Sequence, residues 1–172
     1  MDFNKLFIDK SLKPSEKTTV LSNWLILNTD SLNELIDFAR LAKDPIKASC
    51  IEAIEYATKT KPGSASSECL KFVSETLSSK APRVKWESAR VIGNIAHLYP
   101  DQLDVAINNL LVNSEHSGTV VRWSTAFAFS QIIKMKMPFN NDLIPAIESI
   151  CIREEKNSIK KIYLEAIKKL KV

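Results

Sequence analysis

Two histidines, three cysteines and an adjacent pair of glutamates are the side chains of this sequence with the most chemistry to offer. A metal site would need several such groups at ligand spacing. His97 and His116 stand 19 residues apart, the first closing a helix and the second near a loop, and neither has a cysteine or histidine at that spacing. Cys50, Cys69 and Cys151 form no C-x-x-C pair and read as thiols in a reducing compartment. Glu154 and Glu155 are neighbours, and neighbours on a helix point about 100° apart, so they read as a solvated helix end and not an acid/base dyad. The loops G-x-x-x-x-G-K and G-x-G-x-x-G, the G-x-S-x-G nucleophile turn and the H-E-x-x-H zinc motif do not occur. The expectation is a protein that is not an enzyme and uses no metal and no cofactor.

The remaining chemistry is recognition. Trp and Arg are the residue types that most often dominate binding energy. Trp86 and Trp123 each offer a flat face and one N–H donor. Arg90, one turn after Trp86, could stack on it or bind an anion. Whether these side chains are free depends on the elements that carry them.

Those elements read as helices. The 172 residues are 45% hydrophobic and 26% charged, ordinary for a globular chain, with only three glycines and no strand-type alternation. Breakers at Pro14, Asp44-Pro45, Pro62-Gly63, Pro82, Pro100-Asp101, Ser117-Gly118, Pro138 and Lys156-Asn157 separate stretches of helical apolar spacing. The spacing predicts ten helices, roughly 3–11, 14–28, 31–42, 45–59, 65–79, 82–98, 101–113, 118–136, 140–153 and 157–171, in one domain over 1–172. Asp44 before Pro45 and Ser31-x-x-Glu34 read as helix caps. Trp24 shares an arc with Val20 and reads as core. The net charge is +4, but residues 156–172 carry six lysines and one acid, +5, leaving −1 for the rest. A lysine-rich last helix reads as a solvated end.

A repeat runs through these helices. Val84-Lys85-Trp86 and Val121-Arg122-Trp123 lie 37 residues apart, and weaker copies begin at Ile46-Lys47 and Ile159-Lys160, each 38 residues from its neighbour. Stepping about 100° per residue from Val84, Val91, Ile92, Ile95 and Leu98 share one arc, while Trp86, Arg90, Gly93 and His97 cluster on the opposite side. In the next copy Ala128 and Ile132 join the arc of Val121, and Trp123, Phe127, Ser130 and Lys134 form the opposite stripe. Earlier, Ala48, Glu52, Glu55 and Lys59 take these positions; later, Lys161, Glu165 and Lys168 do. Large aromatics opposite a core arc mean either a stacked structural ladder or a binding patch.

The Val/Ile, Lys/Arg, helix pattern at this period, with Ala42-Lys43-Asp44-Pro45-Ile46-Lys47 as its best copy, resembles HEAT repeats. The resemblance covers nearly the whole chain and implies an all-α, right-handed solenoid of about five antiparallel helix pairs, with the second helices lining a concave groove. It implies that Lys85 and Arg122, at the family's Val-Arg position, make hydrogen bonds between repeats. HEAT-like DNA alkylation-repair glycosylases also carry aromatic and charged residues on such a surface, and Trp86, Trp123 and Lys161 are similar in kind. Those enzymes also need an acid near the aromatics. The residue one turn after Trp86 is Arg90, and only Glu165 is acidic at the C-terminal end of the stripe.

The expected function is therefore a non-catalytic binding or scaffold module. A protein or peptide would be held along Trp86, Arg90, His97, Trp123, Phe127, Lys134 and Lys161, with nucleic acid as the alternative partner. No apolar stretch is long enough to span a membrane and the first residues do not resemble a secretory signal, so the expected location is cytoplasmic.

Overall fold

The computed structural model describes residues 1–170. They form ten α-helices: α1 (Phe3–Ile8), α2 (Pro14–Leu27), α3 (Leu32–Leu41), α4 (Asp44–Thr60), α5 (Ser67–Thr76), α6 (Pro82–Ile95), α7 (Asp104–Asn113), α8 (Thr119–Ile132), α9 (Asn140–Arg153) and α10 (Asn157–Leu170). The last expected helix included Lys171, which lies outside the described residues. No strand occurs among the described residues, and none of their helices is long and apolar enough to cross a membrane.

The ten helices are five pairs in a two-layer α-solenoid. The second helices, α2, α4, α6, α8 and α10, pack side by side in chain order, and α3, α5 and α7 stack behind them as first helices. Neither helix of a pair can bury its apolar stripe alone, so each joint between repeats carries part of one elongated core. Leu35, Ile36, Ile51, Ile54, Leu70, Phe72, Ile92 and Phe129 are fully buried in it. The arc expected on α6 and α8 is there: Val84, Val91, Ile92, Ile95, Val121, Ala128 and Ile132 are buried. Cutting one of these isoleucines to alanine would cost about 2–5 kcal/mol.

Proline marks the starts of α2, α4 and α6, where its missing N–H and fixed φ suit a first turn. Both expected caps need correction. Asp44 is already helical, behind Lys43, and makes no capping bond. Ser31 ends a short 3-10 turn, Thr29–Ser31, at φ −88° and ψ 9°. An extended backbone is what swings an N-cap oxygen onto the first N–H groups, and Ser31 lacks it. Working caps lie elsewhere: Asp2 accepts from Lys5 N at 2.9 Å, and Ser66 Oγ from Cys69 N at 3.2 Å. Val20 is 39% exposed and lies outside the core arc expected of it, whereas Trp24 is half-buried and packs against the core. Trp24 meets Phe3 edge-on at 5.4 Å and so helps seat α1.

Lys85 and Arg122 tie one repeat to the next. Lys85 Nζ donates to Leu77 O at 2.9 Å and to Asn113 Oδ1, at the end of α7, at 2.7 Å. Arg122 donates to Glu154 at 2.8 Å and to the carbonyls of His116 and Ser117 at 2.8 and 3.0 Å.

Candidate functional site

The layer of second helices carries the candidate residues, and α6 holds the densest group. Trp86 Nε1 donates to Glu87 Oε1 at 2.8 Å. The other oxygen of Glu87 lies 3.1 Å from Arg90 Nη1, and Arg90 Nη2 lies 3.0 Å from Glu55 Oε1 on α4. Arg83 pairs with Glu52 beside them. Glu55 and Glu87 are 5% and 4% exposed, so two buried carboxylates share one guanidinium. Burial pushes the Glu87 carboxyl up, and Glu52 and Glu55 push the same way; the Trp86 hydrogen bond and Arg90 offset part of this. Arg90 thus already holds two acidic groups of its own chain.

Beside this cluster a cleft of about 550 Å³ opens between α2, α4 and α6. Thr18, Thr19, Ser22, Tyr56, Glu52, Glu55, Arg83 and Arg90 line it, so its walls mix apolar and polar surface and carry charges of both signs.

On α8 the aromatics behave differently. Trp123 is 41% exposed and lies parallel to Phe127, with ring centroids 6.2 Å apart and planes 5° from parallel. Phe127 is half-buried because α6 has a glycine under it. A Cβ added to Gly93 would meet the Phe127 ring well inside van der Waals contact, 2.8 Å from Cδ1. Gly93 therefore lets the ring lie against the α6 backbone. Trp86 and Trp123 do not stack on one another among the described residues, so no continuous aromatic ladder runs along the layer.

The other candidate residues are spread along the same layer. Lys134 is exposed in the turn after α8, and Gln131 Oε1 accepts from its Nζ at 3.2 Å. Burial and then Lys169 push its ammonium down, which sets Lys169 of α10 in its neighbourhood. Lys161 is exposed on α10, with Nζ 3.7 Å from Glu165. His97 is exposed in the 3-10 turn Ala96–Leu98, and no hydrogen bond or ion pair among the described residues joins it to the aromatics. Four positions of the expected stripe are not free: Ala48, Glu55, Gly93 and Ser130 are buried.

Glu87 is the residue that sequence reasoning missed. The helix-wheel position for an acid beside Trp86 is one turn onward, where Arg90 stands. Glu87 sits on the flank of the buried arc, about 60° from Val84 on the wheel. The available signal was the juxtaposition itself: a buried-flank carboxylate needs donors, and Trp86 and Arg90 are the donors adjacent to it.

No family model matches the chain, and no curated protein matches it in sequence. Solved structures do resemble it. One is the complex of CpcE and CpcF of phycocyanin lyase from Nostoc sp. PCC7120, 13% identical, with 95% of this chain and 94% of that chain covered at a TM-score of 0.66. Another is an engineered protein, 15% identical, with 96% and 79% covered at a TM-score of 0.63. The expectation that a chain of this build is not an enzyme is corrected by the first of these: the same fold serves in a lyase, so the architecture is no ground for excluding catalysis. At these identities the likeness shows the fold, and the chain is an all-α solenoid of helical repeats.

Proposed function

We propose that the chain, acting as a single HEAT-like domain, binds an extended or helical segment of a partner protein along its layer of second helices. The observation that carries this reading is Trp123: a tryptophan 41% exposed whose ring lies parallel to that of Phe127. A rigid, half-open aromatic surface is the kind of anchor around which binding energy concentrates. The cleft between α2, α4 and α6 extends the surface on one side, and Lys134 and Lys161 extend it on the other. A bound segment would place an apolar side chain on Trp123 and Phe127 and an acidic one toward Lys134. Trp86, Arg90 and His97 would border it, with Arg90 positioned by Glu55 and Glu87. That a chain of similar fold is solved as a complex of two proteins agrees with a protein partner.

The experiment is to pan a displayed random-peptide library against the protein and measure the enriched segments on wild type and Trp123→Ala. The reading expects segments rich in apolar and acidic residues, bound about tenfold or more weaker by the variant while its helical circular dichroism is unchanged. Segments that bind both proteins equally contradict it. Oligonucleotide binding that falls steeply with added salt would assign the surface to nucleic acid instead.

A further inference from the structure

The layer of first helices is unevenly stacked: α5 packs on α3 and α7 on α5, whereas α9 stands off from α7. Two asparagines close the α5–α7 joint. Asn109 Nδ2 donates to Ser74 O at 2.9 Å, and Asn113 Nδ2 to Leu77 O at 3.0 Å. One 37-residue repeat later stand Ala146 and Ile150, which have no side-chain donor. Among the described residues the ion pairs near the α7–α9 joint lie at one end, where Arg153 lies 2.7 Å from Glu115 and Arg122 of α8 holds Glu154. Toward the other end a wedge of about 410 Å³ opens.

Both walls of the wedge are helical stripes. Asp104, Ile107, Asn108 and Leu111 face it from α7 at i, i+3, i+4 and i+7. Phe139, Asp142, Leu143 and Ala146 face it from α9 and the turn before it in the same rhythm. Ile107, Leu111 and Phe139 are only half-buried, so apolar surface lines an open gap. Asp104 and Asp142 are exposed beside it and take part in no ion pair among the described residues.

The rest of α7 points the same way. Its only charged residue is Asp104, and Val105 and Val112 are 53% and 71% exposed. Two exposed valines beside the wedge mean that α7 keeps apolar surface its own chain leaves uncovered, as a helix with a second packing surface does. First-turn carboxylates also favour the helix dipole. That role leaves the apolar walls uncovered.

We propose that this wedge docks an amphipathic helix of a partner protein. The helix inserts an aliphatic or aromatic side chain between Ile107, Leu111 and Phe139 and sets a lysine or arginine one turn away against Asp104 and Asp142. Charge complementarity selects the cation: Asp104 and Asp142 put two carboxylates beside the apolar walls, and outside its lysine-rich last helix the chain carries a net −1. The wedge is built on first helices and is separate from the surface around Trp123.

The test uses a labelled synthetic helical peptide with leucines on one face flanked by lysines, and a twin with glutamate at every lysine, followed by fluorescence anisotropy. The lysine peptide should saturate wild type, and the glutamate twin should bind about tenfold or more weaker. Asn108→Arg, an exposed wall position, should abolish binding with the melting curve unchanged. The double variant Asp104→Asn, Asp142→Asn should bring the two peptides close to parity, and Trp123→Ala should leave both affinities as they were. Equal binding of the twins, binding indifferent to Asn108→Arg, or binding lost in Trp123→Ala would each overturn the proposal. So would self-association abolished by Asn108→Arg, which would assign the wedge to a second copy of this chain.

Discussion

Trp86 donates its indole N–H to Glu87, the next residue in the chain, over 2.8 Å. That bond begins a relay that continues through Arg90 to Glu55 and fastens α6 to α4. The ring therefore has a structural duty through its nitrogen as well as any contact it makes through its face.

Trp86→Phe keeps a ring and removes the donor. It leaves a Glu87 oxygen buried with one partner fewer and should cost about 1 kcal/mol of stability at neutral pH. Urea denaturation read by circular dichroism measures the loss. A variant as stable as wild type would mean that water replaces the indole.

The same cluster gives stability a pH dependence of definite sign. The Glu87 carboxyl is raised in the folded state, chiefly by burial, so the folded chain holds its proton more tightly than the unfolded chain does. Its contribution is full below the ordinary carboxylate value and is lost as pH rises through the raised folded value. Glu87→Gln removes this dependence. The stability of wild type minus that of Glu87→Gln should therefore fall as pH rises from about 4 toward neutrality.

Glu154 behaves in the opposite way. Burial pushes its carboxyl up, but the Arg122 hydrogen bond and the N–H groups of Lys156 and Glu155 outweigh it, and the net value lies below the ordinary one. Its contribution is present above the unfolded value and lost as pH falls through the folded one. Arg122→Ala strands the carboxylate, whose side chain is 3% exposed, and should cost about 3 kcal/mol at neutral pH. The cost should shrink in acid, as a pH series of melting curves would show.

Gly93→Ala sets a helix-propensity gain of about 1 kcal/mol against a collision with the Phe127 ring. The ring must turn or shift, and the Trp123 stack shifts with it. Net destabilisation of about 1 kcal/mol and a changed Trp123 emission are expected. Adding Phe127→Leu should restore the stability and not the emission.

The helix pairing was legible because Val84 and Val121 repeat with their cations and tryptophans in phase, and because prolines stand at helix starts. The two expected caps failed for a local reason: Ser31 and Asp44 have suitable side chains but not the extended backbone that capping uses. Trp86 and Trp123 were indistinguishable in sequence, since both lie opposite the same arc. Their different fates depend on partners supplied in three dimensions. Glu87 takes the Trp86 nitrogen and Phe127 takes one face of Trp123. The open α7–α9 wedge was likewise out of reach, because it depends on Asn109 and Asn113 finding carbonyls on α5 while Ala146 and Ile150 have nothing to offer.

If Trp123 is an open anchor on the layer of second helices, iodide must reach its ring and quench its emission. Wild type and Trp123→Phe should be compared with and without a library-selected segment. A quenchable, red-shifted component should be present in wild type, missing in Trp123→Phe, and protected when the segment binds. Emission equally protected in both proteins, or quenching of Trp123 that a bound segment leaves unchanged, would contradict it.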